Sequence, residues 1–330
     1  EGRRIKLVGG LRGPTMAPAV ASAVESVPVQ LEPPGRVRVV WYTDPINVWC
    51  WGCEPAIRRI QARYPDSVQV DVTMGGLFED FGPIREYWAR MSGGRWQDSV
   101  KAFLSAVAAH HRMPMDVPRL MAAIDDLKST WPSCIAVKAA GRQGTAREYP
   151  YLRRFREAMY VDGRNTTRRD VQIEVAGEIG LDTSAFARAL DDGTADAAFQ
   201  KDLDLCRSKS VTGFPTFEFV RGSASARLEG WQPWDAFEEA LNEFAPDLRP
   251  RPIEATPASV RSLLRRYDRC ATLEVAAILG VTDDEAELLL EELEVEGAVT
   301  RHEIGGGLFW EAPRPASVRL RTEPGDVSHP

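Results

Sequence analysis

The chain has little histidine and little cysteine, four and five residues among 330. So few cysteines exclude a disulfide-stapled scaffold, and an odd number with a single close pair suits a reducing compartment, the cytoplasm. Basic residues are not in excess: the formal net charge is −7. That balance argues against broad nucleic-acid binding, which needs cationic surface to displace counterions from phosphates. No run of eighteen or more apolar residues occurs, so no segment reads as a membrane-spanning helix. What remains is an ordinary globular composition, 44% hydrophobic and 27% charged, with length enough for two domains.

Residues 1–34 show no helical or strand periodicity and read as a mobile leader. Their basic start, Arg3, Arg4 and Lys6, precedes too few apolar residues for a secretory signal. The chain opens on Glu, and Met16 is a candidate start. Val37–Thr43 (VRVVWYT) is a near-continuous apolar run that suits a buried strand, broken by Asp44-Pro45. Helical spacing from Asn47 through Trp51, Ala56, Ile57 and Ile60 predicts one helix ending near Arg63. Val68, Val70 and Val72 alternate with polar residues as a second strand. The short crossover between the two strands makes them a parallel pair.

Residues 83–208 carry no comparable strand signal and read as a helical insertion, with helices over Val100–Ala109, Val117–Leu127, Pro132–Gly141, Tyr151–Tyr160, Arg169–Ile179 and Ser184–Asp191. Strands return at Thr216–Val220 and Ala226–Glu229 around a Gly222-Ser223 turn, and a helix follows over Trp234–Phe244. Residues 246–257 hold four prolines and read as an interdomain linker. Three helical runs, Ala258–Tyr267, Leu273–Leu279 and Asp283–Glu296, precede a strand pair, Ala298–Ile304 and Leu308–Glu311, joined by three glycines. That order is the layout of a winged helix over 258–312, and residues 313–330 read as a disordered tail.

The stretch DPINVWCWGCEP (44–55) contains Cys50 and Cys53 in C-x-x-C spacing, and VTGFPTF (211–217) places Phe214-Pro215 just before a strand. Together with a β-α-β opening, a helical insertion and a β-β-α close, these resemble the DsbA type of thioredoxin fold. AVKAAGRQG (136–144), YLRRFREAMY (151–160), GLDTSAF (180–186) and GLFWE (307–311) narrow the resemblance to the SpxH (YjbH) kind of DsbA-like adapter, which brings a transcription factor to the ClpXP protease. The fold class expected is therefore α/β: a thioredoxin-like, DsbA-type domain over 35–245 with a large helical insertion, then a small winged-helix-like α+β domain. The resemblance implies that Pro215 is a cis-proline facing the site.

The family dithiol reads D-P-x-C-x-x-C-W. Aligned on Asp44, Pro45 and Trp51, its first cysteine falls on Asn47 and its second on Cys50. The family's proline eight residues after the first cysteine falls on Pro55, in agreement. A thiolate at a helix N-terminus is stabilised by the dipole and free N–H groups. Asn47 can cap that helix but cannot attack a disulfide. Cys53 stands one turn beyond Cys50, close enough to form a strained and easily reduced bridge, or else to pack as a small apolar residue. The candidate catalytic pair is thus Cys50 and Cys53. The candidate binding residues are Asn47, Trp49, Trp51, Phe214 and Pro215, with Trp51 alternatively a core residue.

A zinc site wants four ligands, and of the adjacent His110 and His111 at most one can readily point at a site with the lone C-x-x-C; no metal and no cofactor are expected. Cys134, Cys206 and Cys270 read as core residues. Between Thr256 and Ala312 there are five Arg, no Lys and twelve Asp or Glu, and the helix from Asp283 has eight acidic residues and no basic one. That helix would be repelled by DNA phosphates. Its acidic face is either solvated or meets a basic partner. The residues alone imply a protein-binding thioredoxin-like module holding a protein or peptide in the groove near Pro215, and the resemblance implies an adapter within a protease system; the alternative is a thiol-disulfide oxidoreductase or isomerase using Cys50 and Cys53.

Overall fold

The computed structural model describes residues 35–313. The leader over 1–34 and nearly all of the tail expected over 313–330 lie outside the described residues. Strand β1 (Val37–Thr43) leads through helices α1 (Val48–Trp51) and α2 (Glu54–Arg63) to β2 (Val68–Met74), parallel to β1 with Val39 opposite Val70 and Trp41 opposite Val72. The insertion comprises α3 (Gly82–Met91), α4 (Trp96–His111), α5 (Val117–Ala123), α6 (Trp131–Gly141), α7 (Glu148–Tyr160), α8 (Arg169–Glu178), α9 (Thr183–Asp191) and α10 (Thr194–Ser208). Strands β3 (Thr216–Arg221) and β4 (Ala224–Glu229) and helix α11 (Trp234–Phe244) complete a four-stranded sheet in the order β2-β1-β3-β4. One face of this sheet presents Val39, Trp41, Phe217 and Phe219, all buried, and Phe237 of α11 packs edge-on against both phenylalanines.

The single helix expected over 47–63 is two. Pro55, near the start of α2, has no N–H to give the carbonyl four residues back, so the ladder stops at Gly52. Trp231 repairs the break by donating its Nε1–H to the Gly52 carbonyl at 2.8 Å. Sequence reading also passed over α3 and α10, whose helical stripes are interrupted by charge. The Ala195, Phe199, Leu203 and Cys206 positions of α10 nevertheless bury one face.

The C-terminal unit consists of α12 (Pro257–Tyr267), β5 (Arg269–Ala271), α13 (Thr272–Leu279), α14 (Asp283–Val295), β6 (Thr300–Ile304) and β7 (Gly307–Glu311). Its antiparallel sheet has the order β5-β7-β6; the three-residue β5 is too short for sequence periodicity to reveal. This unit is seated firmly on the rest. Residues 246–257 run along the end of α2, where the Arg251 N–H meets the Arg63 carbonyl at 2.6 Å and Leu248 is buried. The β6–β7 turn presses on the α4–α5 loop. A Cβ at Gly305, whose φ is +55°, would stand 1.9 Å from the Met115 carbonyl oxygen, so only glycine fits there.

Buried charge ties the two parts together. Arg58 of α2 donates to the Arg269 carbonyl (2.7 Å) and the Cys270 sulfur (2.9 Å), and its Nε lies 3.2 Å from Glu274 of α13. Arg153 of α7 donates to Glu274 at 2.9 Å and to Glu157 at 2.8 Å. Arg156, one turn on, donates to Glu54 at 2.8 Å, to the Thr43 hydroxyl at 2.6 Å and to the Asp44 carbonyl at 3.1 Å. Glu54, Arg156 and Glu274 are wholly inaccessible. Removing one partner from such a network strands the others as unpaired buried charges, at about 3–5 kcal/mol. Glu274→Ala should therefore lower unfolding stability by about that amount, read by urea denaturation followed through tryptophan fluorescence.

Candidate functional site

The β1–α1 connection is built around Asp44. Its carboxylate, fully buried, accepts from the N–H of Ile46 (2.9 Å) and Leu77 (2.8 Å) and from the Thr130 hydroxyl (2.8 Å). Burial raises its pKa and these hydrogen bonds oppose the rise. The turn so formed delivers Asn47 to the N-cap of α1, where Oδ1 accepts from the Trp49 N–H at 2.9 Å. The other end of the same amide, Nδ2, donates to the Phe214 carbonyl at 3.1 Å. The Phe214–Pro215 bond is cis. The Phe214 ring lies over Gly75, where a Cβ would fall within 1.9 Å of ring carbon, and the Gly75 N–H bonds to the Thr43 carbonyl at 2.7 Å. Phe214 thus links the Asn47 amide, through its carbonyl, to the Gly75 loop, through its ring.

Trp49 and Phe214 are half-buried beside this point, and Pro215 is buried. The exposed His110 sits between two tryptophan edges, with ring centroids 5.5 Å from Trp49 and 4.8 Å from Trp231. Sequence reasoning missed Trp231 as a neighbour of the site; its one local signal is the position just after β4. Trp51 is a correction to the binding set. It is wholly buried, donates Nε1–H to the Pro114 carbonyl at 3.0 Å, stacks on Tyr160, and carries the Arg153 guanidinium 4.6 Å above its ring. It lies in the core because α1 is a single turn and Cys50 and Trp51 occupy its inward side.

Cys50 is the third residue of α1, wholly buried beneath Asn47, and burial pushes its thiol up to about 11 despite the nearby Arg156 guanidinium. Cys53 is equally buried, donates its S–H to the Trp49 carbonyl at 3.4 Å, and is raised further by desolvation and the neighbouring Cys50. Both are free thiols, as are the buried Cys134, Cys206 and Cys270. Only a thiolate attacks, so burial, which favours the neutral thiol, works against attack by either sulfur. Among the described residues no three His, Cys, Asp or Glu side chains are grouped to hold a metal ion.

The family model described as thioredoxin matches residues 41–239, more than half the chain. The chain belongs to the thioredoxin family. A relative, the ClpXP adapter protein SpxH of Shouchella clausii (strain KSM-K16), is 26% identical over 285 residues, covering 83% of this chain and 88% of that protein. Among solved structures, a putative protein disulfide isomerase from Nitrosomonas europaea superposes with a TM-score of 0.54 at 17% identity, covering 64% of this chain and 98% of that one. The cytosolic disulfide reductase DsbM from Pseudomonas aeruginosa superposes with a TM-score of 0.50 at 25% identity, covering 63% and 100%. The DsbA-like fold read from the sequence is thus the fold of this chain.

Two predictions test the site. Ellman's reagent should find none of the five cysteines of the native protein fast-reacting at pH 8, and all five after denaturation. Asn47→Cys should add one fast thiol, because the new sulfur would stand at the helix N-terminus. His111, buried under Gly52, accepts from the Met113 N–H at 3.0 Å through Nδ1, and burial lowers its pKa from 6.5 to about 4. The unfolded state therefore binds a proton that the folded state refuses, and stability is lost as the pH falls from about 6.5 towards about 4. His111→Gln should flatten that loss, worth up to about 3 kcal/mol, in urea melts between those pH values.

Proposed function

We propose that this chain is a protein-binding adapter serving ClpXP-type proteolysis in the cytoplasm, built on a thioredoxin scaffold without its attacking thiol. The observation that carries the reading is Asn47, seated at the helix cap with its amide on the Phe214 carbonyl. An amide there preserves the geometry of the loop and supplies no nucleophile. The name ClpXP adapter protein SpxH, borne by the relative from Shouchella clausii, supports the adapter role. Cytoplasmic residence is supported by the five unpaired thiols, which suit a reducing compartment. The partner would meet the half-buried aromatics Trp49 and Phe214 beside Pro215; rigid amphipathic rings of this kind are favoured contact residues. The C-terminal unit, winged-helix-like in its order of elements, carries an acidic α14 that suits a protein partner better than a nucleic acid.

A second reading, a thiol-disulfide oxidoreductase using Cys50 and Cys53, is favoured by the 25% identity with DsbM. The burial of both sulfurs weighs against it. One experiment separates the two. In cells lacking the chain, the half-life of at least one specific protein after translation arrest should lengthen several-fold, and a Cys50→Ala variant should restore it as well as the wild type does. Insulin reduction by the purified protein should not depend on Cys50. A Cys50-dependent rate, with no protein stabilised by the deletion, would replace the adapter with the enzyme.

A further inference from the structure

The sheet has an unpaired edge along a large hollow in the described molecule. The cavity, about 1220 Å³, is lined on one side by the consecutive β2 residues Val68–Thr73. It continues over the sheet face at Val40 and Tyr42 of β1 and Val220 of β3, and its other walls come from the first half of α7, with Glu148 and Arg154, and from the end of α12, with Arg266. The register of β1 and β2 fixes which backbone groups face it. The Val37 N–H bonds to the Ser67 carbonyl and the Gly75 N–H to the Thr43 carbonyl. In a parallel ladder that phase turns residues 69, 71 and 73 towards β1 and residues 68, 70, 72 and 74 outward.

The ends of this outward row are already partnered. The Val68 N–H meets the Tyr64 carbonyl, the Val68 carbonyl accepts from Arg36 at 3.1 Å, and the Met74 N–H donates to Asp202 at 2.8 Å. The N–H and C=O groups of Val70 and Val72 have no protein partner among the described residues. Both residues line the cavity. An unpaired strand edge is a template for another strand, and a groove between an edge strand and a helix is a geometry in which proteins capture extended peptides. The space suffices: a strand takes about 4.8 by 10 Å in cross-section and about 3.3 Å per residue, so six residues need roughly 1000 Å³.

Charge selects the occupant. Most cations of the lining are already paired: Arg58 and Arg153 with Glu274, Lys138 with Asp202, Arg154 and Arg269 with Asp162. Arg36 and Arg266 have no carboxylate within ion-pair distance among the described residues; Arg36 spends its guanidinium on two carbonyls and Arg266 lies over the Tyr267 ring. We propose that an extended acidic segment of a partner protein adds as a fifth strand to the β2 edge, hydrogen-bonded to Val70 and Val72 and held by Arg36 and Arg266. The proposal takes from the adapter reading only the origin of that segment, a protein to be delivered.

The test uses the full chain and a fluorescein-labelled octapeptide of alternating Val and Glu, with a Val–Lys octapeptide as its counterpart. The acidic peptide should bind saturably below ~1 mM and at least ~10-fold more tightly than the basic one. By hydrogen exchange, the Val70 and Val72 amides should be fast in the free protein and slowed in the complex. Val70→Pro removes an outward N–H and no ladder bond, a place where an edge strand tolerates proline, and should weaken binding at least ~10-fold without shifting thermal unfolding. Equal binding by Val70→Pro, equal binding of both peptides, or amides already protected in the free chain would overturn the proposal. So would a peptide-independent dimer joined through β2. If Val70→Pro folds and still supports partner degradation, this site is refuted and the adapter reading stands.

Discussion

The structure depends on a buried cluster of arginines and glutamates. Glu54 and Arg58 on α2, Arg153 and Arg156 on α7, and Glu274 on α13 form one continuous network under the junction of the two units. Each charge is tolerable only because its neighbours supply counter-charge and hydrogen bonds. The arrangement holds only while all three helices are docked together. It is therefore a constraint on geometry more than a source of stability. One end of it, Arg156, grips Thr43 and the Asp44 carbonyl, the base of the loop that carries Asn47. The other end grips β5 and α13. The C-terminal unit and the candidate site are thus braced by the same side chains.

That bracing gives the site its character. A thioredoxin-type redox centre needs a solvent-facing thiolate at a helix start. Here the helix start is closed by an amide that ties α1 to the loop before β3, and the sulfurs below it are sealed. The Trp49, His110 and Trp231 rings stand beside this seal as a rigid aromatic surface. Such a surface suits the adapter reading, and the burial of both sulfurs beneath it weighs against disulfide exchange.

Much of this was legible in the residues. The alternation of β2, the apolar run of β1 and the turn at Asp44-Pro45 announce local structure because they obey local rules of periodicity and backbone sterics. The register that reads Asn47 in the first-cysteine place came from the family pattern D-P-x-C-x-x-C-W, aligned on Asp44, Pro45 and Trp51, with Pro55 in agreement. The break between α1 and α2 was also written there, in Pro55, yet the apolar spacing concealed it. Arg58, Arg153, Arg156 and Glu274 gave no warning. A charged side chain reads as solvated unless its partners are known, and these partners lie about 100 to 220 residues away in sequence.

By itself, then, the sequence determined the β1 and β2 runs, the turn at Asp44-Pro45 and the acidity of α14, since each is a property of neighbours along the chain; the thioredoxin scaffold and the place of Asn47 in it were read from the resemblance of its motifs. Tertiary structure alone decided that Trp51 is core, that residues 246–257 are pinned to α2, that the β6–β7 turn is pressed against Met115, and that β2 keeps an open edge. Burial and pairing are relations between distant segments, and no local pattern encodes which segments will meet.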